Sequence, residues 1–304
     1  MKIRVLAVFL VASSLAFAQE RDFSKVEMKV QKVAGNIYML QGAGGNVGVS
    51  VGDDGVLVIE DEYAPLAPKI KEAIKTISDK PVRWILNTHF HGDHTGSNAD
   101  FAKSGTEIIA QDNVRKRLET GFDLPKRKQP PAPKEALPII TFDNSLTVHV
   151  NGEDIRALHY ANGHTDGDSV IYFPKSNVVH MGDDFFNMNF PFVDLDGGGS
   201  VQGMVKNVRG VLKDLPDDVK VIPGHGALTT KAELAKFADL LDGCIAAVRA
   251  ALAKKMTLEQ MKQQKVLATY EQYSWEFIKT DDFIEAIYHD LTNAKVAQPN
   301  KQHH

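Results

Sequence analysis

The chain of 304 residues contains a single cysteine, Cys244. No intrachain disulfide can form, so the fold takes nothing from an oxidising compartment. It also lacks a charge excess: 35 Lys and Arg against 39 Asp and Glu leave a net charge of −4. That excludes the basic footprint of a nucleic-acid binder and a polybasic face for anionic lipid. Past the N-terminal segment, no apolar run approaches the roughly 18–20 residues that span a bilayer, so no membrane anchor is expected. What is present is ordinary for a globular protein: 43% hydrophobic and 24% charged residues. A chain of this length can bury a sizeable core without staples, as one large domain or two small ones.

The first eighteen residues read as a targeting segment. Lys2 and Arg4 give a basic start, Val5–Ala12 is continuously apolar, and Ala16-Phe17-Ala18 is a small-x-small cleavage pattern. This architecture fits a secretory signal cleaved before Gln19. The expected mature protein is periplasmic or secreted.

The remainder alternates strand-like and helix-like stretches. Asn36–Gln41, Val47–Val51 and Val56–Glu60 are β-rich runs separated by glycine turns, as in an antiparallel meander. Pro68–Ile77 places Ile70, Ala73, Ile74 and Ile77 on one helical face. Val82–Leu86 and Glu107–Ala110 read as strands, the latter followed by a short helix from Gln111. Leu124–Pro138 holds five prolines and four basic residues, so it is expected to be a surface excursion without a folded element. Strands are expected at Ile139–Phe142, Leu146–Val150, Asp154–His159, Ser169–Phe173, Val178–Met181 and Val219–Ile222, with a helix over Ser200–Leu215. From Thr230 to Ala294 the pattern is mostly helical. The order strands, helix, strand, helix occurs twice, which suggests two β/α halves packed sheet to sheet with helices outside.

The histidines carry the chemistry. Thr88-His89-Phe90-His91-Gly92-Asp93-His94 puts three imidazoles and a carboxylate within six residues. One face of a helix or strand cannot bury them all, whereas a bent loop can aim them at one centre. Imidazole with carboxylate suits zinc, and also iron or manganese. His164 lies in the glycine-flanked loop Asn162–Ser169, Asp183 in Gly182-Asp183-Asp184, and His225 in Pro223-Gly224-His225-Gly226. Each follows a strand end, where a sheet delivers loop residues to a common rim.

The motifs His-x-His-x-Asp-His at 89–94, Gly-His-Thr at 163–165, Gly-Asp at 182–183 and Pro-Gly-His-Gly at 223–226 resemble the metallo-β-lactamase superfamily, in the family's order, over roughly 33–241. The resemblance implies an α/β (α+β) fold, a four-layer αβ/βα sandwich with a two-metal site at one edge. It implies that His89, His91 and His164 hold the first metal, that Asp93, His94 and His225 hold the second, and that Asp183 bridges them. Two zinc ions per chain are expected, with iron or manganese as the less favoured occupants.

A bound Zn²⁺ lowers the pKa of water from about 15.7 to about 7, which supplies hydroxide at neutral pH. Asp93 can ligate the second metal and hold that hydroxide for attack, so Asp93 is the expected catalytic residue. No serine or cysteine nucleophile is needed, and Cys244 reads as a core residue. The β-lactamases with a cysteine ligand carry it where this chain has Asp183, and a carboxylate-binding lysine where it has Phe186. An ester, thioester, lactone or β-lactam bond is the expected target. The rivals are a lactamase with aspartate for cysteine, a non-haem iron enzyme acting on oxygen or sulfur compounds, and a metal-binding protein without turnover.

Three other segments stay open at this level. Phe185–Phe192 is either an apolar wall beside the metals or core packing. Gly197-Gly198-Gly199-Ser200 is either an anion cradle or a linker ending in a helix cap. Gly42–Gly45 is either a hairpin over the site or a plain turn. The expected organisation is a leader over 1–18, a catalytic domain over 19–241 and a helical extension over 242–304, packed on that domain. The expected partner is a small-molecule substrate.

Overall fold

Strands buried on both faces read as continuous apolar runs, and the sequence Gly-Val-Leu-Val-Ile at 55–59 is one of them, buried at every position. The computed structural model describes residues 22–124 and 127–293. The expected leader and the terminal His303-His304 lie outside these residues.

The first sheet is built from β1 (Lys29–Ala34), β2 (Ile37–Gln41), β3 (Val47–Gly52), β4 (Gly55–Ile59), β5 (Val82–Leu86) and β6 (Glu107–Gln111). The chain then forms a hairpin of β7 (Phe122–Leu124) and β8 (Arg127–Gln129), and returns as β9 (Ile140–Phe142) to complete the first sheet in the order β1-β2-β3-β4-β5-β6-β9. The first four strands are antiparallel neighbours, and β4, β5, β6 and β9 run parallel. The second sheet follows in chain order: β10 (Ser145–Val150), β11 (Glu153–His159), β12 (Ser169–Phe173), β13 (Val178–His180), β14 (Lys220–Ile222) and β15 (Thr229–Thr230). Among the described residues, only β13 and β14 pair in parallel there.

Helix α1 (Ala67–Lys75) covers the first sheet, burying Ile70 and Ile74 against outward-facing Val56 and Val58. A one-turn α2 (Gly92–Thr95), α3 (Asn98–Ala102) and α4 (Asp112–Thr120) follow. Leu57 and Ile59, alternating with the outward valines, meet Ile155, Ala157, Ile171 and Phe173 of the second sheet in the shared core. The outer face of the second sheet is covered by α5 (Val201–Asp214), α6 (Lys231–Ala253), α7 (Leu258–Gln263) and α8 (Thr280–Asn293). The layers are therefore helix, sheet, sheet, helix, with a helical C-terminal region, as the sequence implies.

The structure adds to the sequence reading in several places, the short α2, α3 and β15 among them. Strand β1 was not anticipated: its first four residues are exposed and polar-rich, so it carries no alternation. The 124–138 excursion is folded in part, through the β7–β8 hairpin and a 3-10 turn at Lys134–Ala136. Buried Ala136 and Leu137 anchor that turn, Leu137 beside Phe90 and Val114, so apolar contact overrides the proline-rich composition. Helix α6 runs unbroken past Leu241, and its buried stripe continues through Cys244, Ile245, Val248 and Ala251.

Candidate metal centre

Strands β4, β5, β13 and β14 all end at one rim of the sandwich, and β11 ends there too. The loops leaving these strand ends bring the seven predicted residues together. His89, His91, His164 and Asp183 each offer a ligand atom within 4.8 Å of the others. Asp93, His94 and His225 form a second such group. Asp183 stands between the two: its Oδ2 lies 3.5 Å from His164 Nε2 and 3.4 Å from His225 Nε2, and its Oδ1 is 3.2 Å from His94 Nε2. Asp93 Oδ2 is 3.5 Å from His225 Nε2.

Hydrogen bonds on the far side of each ring fix which nitrogen faces inward. His164 Nδ1 lies 2.8 Å from the Phe192 carbonyl, which can only accept, so Nδ1 donates and Nε2 is left with its lone pair. His91 Nε2 is 2.9 Å from Asp194 Oδ2 and donates to it, which leaves Nδ1 with its lone pair. These two lone pairs face each other at 2.8 Å. Among the described residues, His89 Nε2 is buried with no hydrogen-bond partner, and so is Asp183 Oδ1. Ring nitrogens and carboxylate oxygens that converge in a buried space fit a cation, and imidazole with carboxylate is a ligand set suited to zinc.

The electrostatics point the same way. Burial pushes His164 down to about 4 and His89 well below the ordinary imidazole range. Burial also disfavours charge on His94, but the carboxylates of Asp183, Asp93 and Glu60 outweigh it and carry His94 up to about 10. Against the burial that opposes its charge, the imidazoles of His94, His225 and His164 hold Asp183 well below the usual carboxylate range. A carboxylate field of that strength attracts a divalent cation as well as a proton.

Sequence reasoning missed the carboxylates that support the centre. Glu60, Asp61 and Glu62 are all fully buried. Glu60 Oε1 accepts from Thr88 N at 2.6 Å, and its Oε2 is 3.3 Å from His94 Nδ1. Asp61 accepts from Ser97 N at 2.9 Å. Glu62 Oε2 accepts from Gly44 N at 2.6 Å and Ala43 N at 3.2 Å, which holds the Gly42–Gly45 turn down on the site. Three consecutive carboxylates read as a solvated run. The available signal was their place at the end of an all-apolar strand, on the rim shared with the histidines.

Close approach to bare backbone shapes the centre. A Cβ on Gly45 would sit 2.1 Å from the His94 ring, and one on Gly224 would sit 2.1 Å from Asp183 Oδ1. Asp184 turns away from the cluster, where its Oδ1 accepts from His164 N at 3.1 Å. A Cβ on Gly163 would meet that oxygen at 2.0 Å.

The open segments resolve individually. Phe185 and Phe190 are core, packed on Phe237 and Phe283. Phe186 stacks on His225 with ring centroids 4.9 Å apart, and Phe192 lies 5.8 Å from both His91 and His164. Ser200 caps α5 by accepting from Gly203 N, so the glycines before it form a capped linker. Cys244 is buried in α6, and burial pushes its thiol up to about 12.

Comparison with known proteins agrees with this arrangement. Residues 33–225 match the family described as the metallo-beta-lactamase superfamily. The alpha subunit of a 2,4-dinitroanisole O-demethylase from Nocardioides sp. is 26% identical over 232 residues, covering 74% of this chain and 66% of the subunit. This chain therefore spans just under two thirds of that relative. A metallo-beta-lactamase from Pontibacter korlensis has a similar structure, with a TM-score of 0.60 at 16% identity, over 71% of this chain and 99% of the lactamase. A stereoselective inverting sec-alkylsulfatase from Pseudomonas sp. gives a TM-score of 0.66 at 14% identity, over 90% of this chain and 52% of the sulfatase. With its two packed sheets, its strand-end histidines and this match over more than half its length, the chain belongs to the metallo-beta-lactamase superfamily.

Proposed function

We propose that the chain is an exported dinuclear zinc hydrolase acting on an ester, thioester, lactone or β-lactam bond. The observation that carries this reading is the Asp183 carboxylate, set between two groups of histidines whose inward ring nitrogens lie 3.2–3.5 Å from its oxygens. His89, His91 and His164 would hold one ion, Asp93, His94 and His225 the other, and Asp183 both. When bound, two such ions supply hydroxide at neutral pH and Lewis acidity toward the substrate oxygen.

The chain's own residues supply orientation and proton movement. Asp194 and the Phe192 carbonyl fix the tautomers of His91 and His164. The Asp93 side chain is 24% exposed, against 4% for Asp183. Asp93 is thus the carboxylate placed to take a proton from the attacking water and pass it to the leaving group. Phe186 and Phe192 present apolar rings beside the histidines, which limits water around the reacting bond. Cys244, buried and with its thiol pushed up to about 12, is not a competing nucleophile.

The Nocardioides relative is named for acting on 2,4-dinitroanisole, an aryl methyl ether, so aryl ethers belong in the substrate panel. The test combines metal analysis of protein purified without chelator with a chromogenic panel of lactams, lactones, esters, thioesters and aryl ethers. About two zinc ions per chain and turnover of at least one class are expected. A stoichiometry near one that does not rise on adding zinc would overturn the dinuclear reading. Mass spectrometry of periplasmic protein from the native host should show a mature N-terminus at Gln19; an intact Met1 on cytosolic protein would overturn export.

A further inference from the structure

We propose that the C-terminal helical region completes the substrate site with an aromatic wall, and that the substrate carries a neutral aromatic group which packs on this wall while its scissile bond meets the metal centre. The proposal rests on the hydrolase reading above and names its substrate class.

Six ring contacts trace the wall from one metal-binding group to the other. Phe186 stacks on His225 at 4.9 Å, and its ring is 6.3 Å from Trp275. Trp275 lies 5.7 Å from Phe277, and Phe277 lies 5.8 Å from Phe192. Phe192 closes the arc at 5.8 Å from His91 and His164. Two of these rings, Trp275 and Phe277, come from the segment between α7 and α8, 50 and 52 residues past His225.

The arc is anchored by hydrogen bonds. Trp275 Nε1 donates to the Phe190 carbonyl at 2.9 Å, and Phe190 N donates to the Tyr273 carbonyl at 2.8 Å. The loop after Asp183 and the loop before α8 are thereby stitched together. Phe277 is nevertheless 61% exposed. An exposed phenyl ring held within a fixed aromatic series offers a face to a ligand, and aromatic faces favour other rings in offset or edge contact. The arc itself is made of rings, with Phe186 buried against His225, so none of its own side chains can pair with a carboxylate.

Trp84 and Trp275 are the chain's two tryptophans. In a Trp84→Phe background, Trp275 alone reports on the wall by fluorescence. Zinc-loaded protein is titrated with acetohydroxamate, benzohydroxamate and 4-carboxybenzohydroxamate, which share a metal-binding head. Calorimetry on the unsubstituted chain gives the same affinities independently. Benzohydroxamate should bind about 10-fold tighter than acetohydroxamate and perturb Trp275 emission, since ring contacts supply the difference. The added carboxylate should bring no gain. Phe277→Ala and Trp275→Ala should reduce the aryl advantage to about 2-fold or less, with acetohydroxamate affinity unchanged. Phe277→Ala, at an exposed ring, keeps the test valid if Trp275→Ala fails to fold. Equal affinity for the aryl and methyl probes, an advantage that survives both substitutions, or tightest binding of the carboxylated probe would each overturn the wall while leaving the metal centre intact. Absence of binding by all three would overturn the metal reading itself, and the wall with it.

Discussion

The two ends of the sandwich are both polar, yet they are built on opposite rules. At the end away from the histidines, an open cleft of about 820 Å³ is lined by Asn36, Asp54, Asn151, Glu153, Lys175 and Ser176 among others. There most donors meet acceptors, Asn151 Oδ1 being the exception among the described lining residues. Glu153 accepts from Lys175 N and Ser176 Oγ, Asn36 donates to the Val51 carbonyl, and Asp54 accepts from Asn151 N. At the histidine rim acceptors meet acceptors: His91 Nδ1 faces His164 Nε2, and His89 Nε2 has no partner. The open cleft belongs to the end where most polar groups are paired, and the histidines belong to the end where ligand atoms converge. Converging buried ligand atoms thus mark the candidate site here more clearly than an open cleft does.

The sharpest way to break the comparison is at Asp183. Asp183→Asn keeps the shape and removes the charge. It should cut hydrolysis by at least ~100-fold, about 2.7 kcal/mol of transition-state stabilisation, and lower the metal content. Asp184→Asn should be much milder, because Asp184 faces His164 N and not the cluster. Side-by-side turnover and metal analysis decide this, and equal effects would remove the bridging role from Asp183.

Next in size is the response to metal. Binding to the native state alone stabilises by about 2.7 kcal/mol at a ligand concentration of 100 Kd, so zinc should raise Tm by roughly 5–10 °C over chelated protein. Calorimetric scans with and without zinc measure it. An unchanged Tm would mean that the rim satisfies itself as the far end does.

Glu153→Ala tests the far end. Losing the acceptor for Ser176 and Lys175 should cost about 1–3 kcal/mol in denaturant unfolding, with kcat/KM unchanged. A fall in turnover would couple the two ends.

The smallest effect concerns Glu62, in metal-free protein. Burial pushes its carboxyl up to about 7 from an ordinary 4.5. The folded state then binds this proton more tightly than the unfolded chain does. The stability it contributes is full below pH 4.5 and is lost as pH rises through about 7. The margin of Glu62→Gln over the parent should therefore grow between these values and level off above, as read from Tm against pH. A margin constant with pH would show that Glu62 carries no such strain.

The sequence reveals the rim better than it reveals the rim's support. His89, His164 and His225 are legible because each sits among turn residues just past an apolar run, and a loop at a strand end has few other uses for a histidine. The sheets are legible where strands bury both faces, as at 55–59, or alternate, as Glu153–His159 does. Strand β1 is not, since an exposed edge needs no pattern. Glu60, Asp61 and Glu62 are not, because composition cannot tell carboxylates paired with buried N–H groups from solvated ones. Trp275 and Phe277 lie in an irregular stretch, where no period shows which way a ring faces.

Gly45, Gly163 and Gly224 have no side chain to bind a metal, move a proton or touch a substrate. Yet the space a methyl group would need at each is already filled, by the His94 ring, by Asp184 Oδ1 and by Asp183 Oδ1 respectively. The volume of a reactive group at one position thus dictates the residue at another far along the chain: 49 residues separate Gly45 from His94, and 41 separate Gly224 from Asp183. A survey of tolerated substitutions would mark these three glycines as sharply as the histidines, and that intolerance would outline the reactive groups as a mould records the object cast in it.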